Sequence, residues 1–323
     1  MKKGDNWYII IMLCIERMDN KPDMIAANYC ISFVDLLGQR AEYKSEGLLP
    51  QSESDRDRFL KKIKRTINPI YHLQKDASDY MKSALSYKGP LRKHLPKPQQ
   101  EIYYQMREIK LKRQRWSDGL VYFVSLQQGS VKCPIGGILH LLGTVGSLCF
   151  VGLCKKRPLR GSVDISWGVE LHPGEIYGAA VANAYELESE IAQYPRIVIG
   201  ERVVEYLKTN SKNPELDIFT EFNRSLAEIC LGMIAIDFDG NYILDYLGPS
   251  FKESITKANH DKLFKLAFQF VNEQLECWWK KKNTKLSMRY NHLFAYFQSY
   301  KEIMEKEKAQ PANSVDSEDR AAD

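Results

Sequence analysis

Two aspartates stand where apolar runs meet turns. Asp35 closes the run Ile31-Ser-Phe-Val-Asp35, and Gly38 follows as a turn residue. Asp118 directly precedes a second run, Gly119-Leu-Val-Tyr-Phe-Val-Ser-Leu126. If the two runs are neighbouring strands, the carboxylates converge. A converging carboxylate pair suits two Mg²⁺ or Mn²⁺ ions in phosphoryl transfer, one ion activating a hydroxyl and the other holding a triphosphate. Taken singly, each Asp ends a strand and caps a turn.

The elements that must position these acids are legible from periodicity. Ser162 to Glu170 alternates Val163, Ile165, Trp167 and Val169 with polar residues, which predicts a strand. Ala179 to Ala192 reads as a helix with Val181, Ala184, Leu187 and Ile191 on one face. Arg196 to Ile199 is a short strand. Asp239-Gly240-Asn241 joins two apolar runs as a hairpin. The triplet Asp237, Asp239 and Asn241 imitates a calcium loop, but the position six beyond Asn241 is Leu247 rather than Glu. Residues 51 to 115 are highly charged, with Phe59, Leu60, Ile63 and Ile67 at helical spacing, and 88 to 98 form a loop. Two further helices are expected, from about Asn259 and over 285 to 308.

Composition bounds the function. The chain has 323 residues, 44% apolar and 27% charged, enough for one large domain or two small ones. This excludes a collagen, a low-complexity chain and a disulfide mini-protein. Forty-six basic against forty-one acidic residues give +5, which suits anionic small molecules and is too weak a balance to argue for nucleic acid. Seven Cys with no Cys-x-x-Cys pair point to a reducing cytoplasm. The six His have no metal-ligand spacing, so zinc is not expected. Trp7 to Ile15 is too short to span a bilayer, and no small-residue cleavage site follows it. Ile135 to Leu153 is long and uncharged enough to span. His140, Thr144 and Ser147 share one face of it, and five glycines permit close packing, so a buried helix is the expectation. No membrane insertion is expected.

Four blocks resemble the class III nucleotide cyclases, in that family's order. Phe33-Val-Asp-Leu-Leu-Gly38 is similar to the first metal motif, and Trp116-Ser-Asp-Gly-Leu-Val-Tyr-Phe123 to the second. Arg160 to Gly168 resembles the later central strand. Gly174 to Ser189 resembles the next loop and helix. The resemblance covers about residues 28 to 205. It implies an α+β fold, a ferredoxin-like sandwich with a helical insertion and C-terminal helices. It implies a homodimer with the active site at the interface. It implies two Mn²⁺ or Mg²⁺ ions on Asp35, Asp118 and the backbone carbonyl of Leu36. Phe33, Leu37, Gly38 and Arg40 would sit against the nucleotide, the backbone from Leu37 to Arg40 cradling phosphates and Arg40 pairing with one.

The departures carry information too. Purine cyclases place an Asn and an Arg where this chain has Ala182 and Glu186. Their base-reading positions correspond to Glu175 and Gln114. Arg115, Arg160 and Arg196 are candidate replacements for the missing arginine. The sequence does not choose among them, and Arg115 is the working assignment beside the two Asp. Pro158-Leu-Arg-Gly161, Tyr177 to Glu188 and Tyr194-Pro-Arg-Ile-Val198 resemble one branch, the pyrimidine cyclases of bacterial anti-phage defence (Pycsar type). That implies conversion of UTP or CTP to cyclic UMP or cyclic CMP plus pyrophosphate. The product would activate a separate effector. Tyr43 is a candidate for narrowing the pocket around a one-ring base. The alternative is an inactive cyclase-homology domain that binds a nucleotide or a partner. The expected organisation is a catalytic domain over 1–250 with an insertion at about 51–115, a helical extension over 251–308 and a disordered acidic tail over 309–323.

Overall fold

The strand that carries Asp35 lies inside the sheet, bonded on both edges. The computed structural model describes residues 26–38, 49–86, 96–97, 100, 110–116, 119–127 and 133–309. The expected loop at 88–98 and the acidic tail fall largely or wholly outside these residues, as does the apolar run at 7–15. β1 (Ala26–Leu36) pairs antiparallel with β3 (Gly119–Ser125) on one side and with β4 (Leu159–His172) on the other. β2 (Lys112–Trp116) forms a hairpin with β3 and edges the sheet. The last residues of the charged segment are therefore a sheet strand.

Helix α1 (Glu53–Ser86) lies between β1 and β2 in sequence, and α2 (Pro134–Cys154) lies between β3 and β4. The order β2-β3-β1-β4 with these two helices is the ferredoxin-like βαββαβ unit of an α+β fold. The sheet continues beyond β4. β6 (Ile197–Ile199) runs parallel to β4, and β8 (Tyr242–Leu244) and β7 (Ile234–Ile236) complete it antiparallel. β5 (Glu175–Tyr177) folds back on β4.

β1 reads as a continuous apolar run because both its faces are covered. Cys30, Val34 and Leu36 join the large core, while Tyr29, Ile31 and Phe33 join a smaller one. The large core lies under α2, whose buried residues include Leu141, Leu142, Val145, Cys149 and Phe150. Helices α4 (Glu201–Ser211) and α5 (Ile218–Gly232) bury Val203, Val204, Leu207, Leu226 and Cys230 in the same core. The smaller core is capped by α3 (Ala179–Glu186), through Ala180, Val181 and Ala184.

α2 is the apolar segment that sequence alone left able to span a membrane. Among the described residues it is long and apolar enough to do so, yet 78% of its most apolar window is buried inside the protein. On the expected polar face Thr144 and Ser147 are buried and His140 is half-buried, with Thr144 donating to the His140 carbonyl at 2.8 Å. The reason is a third layer. α6 (His260–Lys280) packs across α2, with Phe264, Ala267, Phe270 and Val271 buried. α7 (Thr284–Ala309) adds Tyr290, Leu293 and Phe297. Full burial of side chains of this size is worth about 1.5–3 kcal/mol each. The C-terminal helices thus cover a helix rather than a bare sheet face.

Candidate active site at the end of β1

The β1 register sets the geometry around Asp35. Asp35 pairs with Gly119 across one edge and with Arg160 across the other. Glycine is needed beside this end of β1. A side chain at Gly161 would place its Cβ 2.6 Å from the Phe33 carbonyl oxygen. Gly38 turns the chain away with φ +95°, a backbone conformation that L side chains rarely adopt. Leu37 donates its N–H to the Pro158 carbonyl at 3.0 Å, which fixes the chain leaving β1.

Arg160 bridges two acids. Its Nη2 lies 3.7 Å from Asp35 Oδ2, and its Nε lies 2.5 Å from Glu188 Oε1. The second contact is an ion pair without aligned hydrogen-bond geometry. Glu188 is 2% exposed, on a π-helical turn (Leu187–Ile191) that continues α3. Single π turns inside helices recur at functional sites. Asp35 keeps 23% of its side chain exposed, so its carboxylate is reachable from solvent.

An aromatic wall stands beside this cluster. Trp116 pairs with Gly119 and so lies in line with Asp35. The Phe33 ring meets Trp116 edge-on at 6.0 Å and Tyr185 at 5.4 Å. Trp116 and Tyr185 are each about half exposed, whereas Phe33 is buried. Exposed rings over a buried one form a platform for a planar ligand ring.

The two expected base-reading positions come together. Gln114 Oε1 accepts the Ile176 N–H at 3.0 Å, which places Gln114 next to exposed Glu175. Gln114 pairs with Val121, and Val121 with Phe33, so this pair lies one step along the same sheet face from Asp35. Further along β2, Lys112 and Glu170 form an ion pair at 2.6 Å that closes the β4–β5 hairpin onto the edge strand.

The three candidate arginines separate clearly. Arg160 is at Asp35. Arg115 pairs with Leu120, and Leu120 with Val34, which aligns it with the opposite sheet face. Arg196 is 3% exposed and bonds Asp237 at 2.5 Å, Asp239 at 2.6 Å and the Ile191 carbonyl at 2.7 Å. It clamps the Asp239-Gly240 hairpin, which accounts for the calcium-loop imitation. Burial pushes the Asp239 carboxyl up, but the Arg196 and Asn241 hydrogen bonds outweigh it and hold it at about 2. Ala182 and Glu186 are exposed on α3. Glu186 lines a separate recess of about 440 Å³ with Asp164, Glu190, Gly200 and Arg202.

Asp118, Arg40 and Tyr43 lie outside the described residues, and Gly119, which follows Asp118, is the residue opposite Asp35. Among the described residues no three His, Cys, Asp or Glu side chains cluster as a metal site. Sequence reasoning missed Glu188 and the Trp116–Tyr185 wall as parts of the site. Glu188 sits inside the quoted block Gly174 to Ser189, but nothing in its spacing marks it as Arg160's partner. A scan against protein-family models finds no match for this chain, and a search of curated proteins finds none either.

Proposed function

We propose that the chain is a pyrimidine nucleotide cyclase, converting UTP or CTP to the 3′,5′-cyclic monophosphate and pyrophosphate. The observation that carries this reading is the register at the end of β1. It sets Asp35 opposite Gly119, the residue after Asp118, within the β2-β3-β1-β4 order. Carboxylate and carbonyl oxygens are the donors that Mg²⁺ and Mn²⁺ take, so Asp35, Asp118 and the Leu36 carbonyl fit such ions by ligand type. Two ions held there supply positive charge against the triphosphate.

In the reaction the ribose 3′-oxygen bonds to the α-phosphorus. The bond from that phosphorus to the bridging oxygen breaks, and pyrophosphate leaves. The 3′-hydroxyl proton passes to solvent. Arg160, held by Glu188, offsets charge on the transferring phosphate. Trp116 and Tyr185 stack the base, and Gln114 and Glu175 meet its edge. On this reading the enzyme is a cytoplasmic homodimer with a separate cyclic-nucleotide-activated effector and no nucleic-acid partner.

The second reading is an inactive cyclase-homology domain. It is favoured by the 3.7 Å approach of Arg160 to Asp35, where the guanidinium offsets charge that an ion would otherwise offset. Turnover separates the two. Purified protein is incubated with Mn²⁺ and each of ATP, GTP, CTP and UTP, and products are identified by mass spectrometry. A cyclic pyrimidine monophosphate that disappears in Asp35→Ala supports the cyclase. No product from any nucleotide, with the protein folded and nucleotide bound, supports the inactive domain.

A further inference from the structure

A second arginine, on α7, is tied to the segment that leads into the sheet beside the start of β4. Arg289, on α7, donates from Nη2 to Gln193 Oε1 at 2.9 Å. Gln193 belongs to the segment between the π turn and β6. That segment is bonded to the start of β4, since the Arg196 carbonyl accepts the Gly161 N–H at 2.9 Å. Gly161 follows Arg160, which pairs with Asp35. Arg289 therefore reaches the end of the sheet where Asp35 lies.

The two arginines differ in their partners. Arg160 has Glu188 and Asp35, whereas among the described residues Arg289 has no ion-pair partner. Burial and the positive charge of Arg160 both hold the Arg289 guanidinium below its ordinary range. The charge of Arg160 is already offset by its two carboxylates, so Arg289 is the guanidinium whose charge an incoming anion would offset.

We propose that Arg289 and Arg160 together bind the polyphosphate of the substrate, so that the C-terminal helix α7 contributes a residue to the site. This rests on the cyclase reading and adds a contact from outside the four resembling blocks. Arginine suits the task because its planar fork matches phosphate geometry. Gln193 orients Arg289, leaving the rest of its donors for the ligand.

The test is tripolyphosphate binding to the full-length protein with Mn²⁺, by titration calorimetry at several salt concentrations. Arg289→Gln is expected to weaken binding about tenfold, the equivalent of one charge-assisted hydrogen bond, and to flatten the salt dependence. Arg289→Lys is expected to recover part of the affinity. Gln193→Leu keeps the charge and loses its anchor, so it is expected to fall between wild type and Arg289→Gln. If wild type binds and Arg289→Gln binds equally with the same salt dependence, the proposal is overturned and the cyclase reading stands. If wild type binds no tripolyphosphate, the cyclase reading falls and the proposal falls with it. Should Arg289→Gln fail to fold, an Arg289→Lys with unchanged affinity and unchanged salt dependence, together with an unaffected Gln193→Leu, overturns it.

Discussion

Arg160 stands 3.7 Å from Asp35 while its Nε is held 2.5 Å from Glu188. The buried acid and the partly exposed acid share one guanidinium. Glu188 is the better placed, because it is nearer and because burial strengthens the attraction. Asp35 keeps the longer contact with Arg160, at a strand end where 23% of its side chain is exposed.

Glu188→Gln removes the buried partner and frees Arg160 toward Asp35. Breaking a buried pair in this way costs about 3–5 kcal/mol. Urea denaturation is expected to show a lower midpoint with an unchanged slope. In the turnover assay, half-maximal activity should require more Mn²⁺ than wild type, since Arg160 then offsets the charge of Asp35. An unchanged Mn²⁺ requirement would show that Arg160 does not compete for Asp35.

Asp245 is buried and joins β8 to α7. Tyr296 donates its hydroxyl to Asp245 at 2.7 Å, and Tyr300 bonds the other carboxylate oxygen. Burial and the carboxylate keep both phenols well above their usual range, so they stay protonated donors. A hydrogen bond to a charged group is worth about 1.5–3 kcal/mol. Tyr296→Phe should lower stability by that order, and more than Tyr300→Phe, because Tyr296 also accepts the Leu247 N–H. Equal melting temperatures for both variants and wild type would count against a structural role for this junction.

Two histidines, His260 buried and His140 half-buried, predict the acid response. Burial lowers the pKa of His140 and of His260, so both resist protonation in the folded protein. His260 Nδ1 lies 2.8 Å from the Thr256 hydroxyl, beneath the Phe150 ring. The unfolded chain protonates its histidines at about pH 6.5. It therefore binds more protons than the folded protein once pH falls below that value, and stability drops. The loss should continue until pH reaches the lowered folded values. His260→Asn, measured by denaturation between pH 5 and 8 (a range of about this width covers the histidine titration), is expected to flatten the dependence.

Arg196 is predicted to matter for folding rather than for turnover chemistry. Arg196→Ala leaves Asp237 and Asp239 without their cation and strands the Tyr194 hydroxyl bond to Asp237. A loss of about 3–5 kcal/mol follows from breaking a buried pair. Asp239, held at about 2, contributes stability above the unfolded carboxylate pKa and loses it as pH falls toward 2. Wild type should therefore lose part of the hairpin's stability in strong acid, and the variant should lack that increment. A folded Arg196→Ala of wild-type stability would overturn this assignment.

Gly161→Ala tests the close approach of β4 to β1. The added methyl meets the Phe33 carbonyl, which is backbone and cannot rotate away. Overpacking of this kind costs about 1–3 kcal/mol. On the cyclase reading, activity should fall by more than stability implies, because the strained pair adjoins the pairing of Asp35 with Arg160. Activity that tracks the folded fraction alone would argue against registry as the limiting feature.

The strands that frame the site were readable because their patterns are local. β1, β3 and β4 announce themselves by apolar runs or alternation, and a strand's side-chain period needs no partner to be seen. The Asp239-Gly240 turn is equally local. The helix over 179–192 was half right, since its second half is a π turn, and helical spacing does not distinguish the two. β2 was hidden because Lys112-Arg-Gln-Arg-Trp116 is an edge strand with little apolar content, and its pairing comes from the hairpin rather than from its own pattern. Which arginine meets Asp35 was decided only in three dimensions. Arg115, Arg160 and Arg196 look alike in sequence, but register sends the first to the other face, the second to Asp35 and the third into a hairpin clamp. The burial of α2 was likewise a tertiary outcome, because an apolar helix carries no signal for whether lipid or neighbouring helices cover it, and here α6 and α7 do.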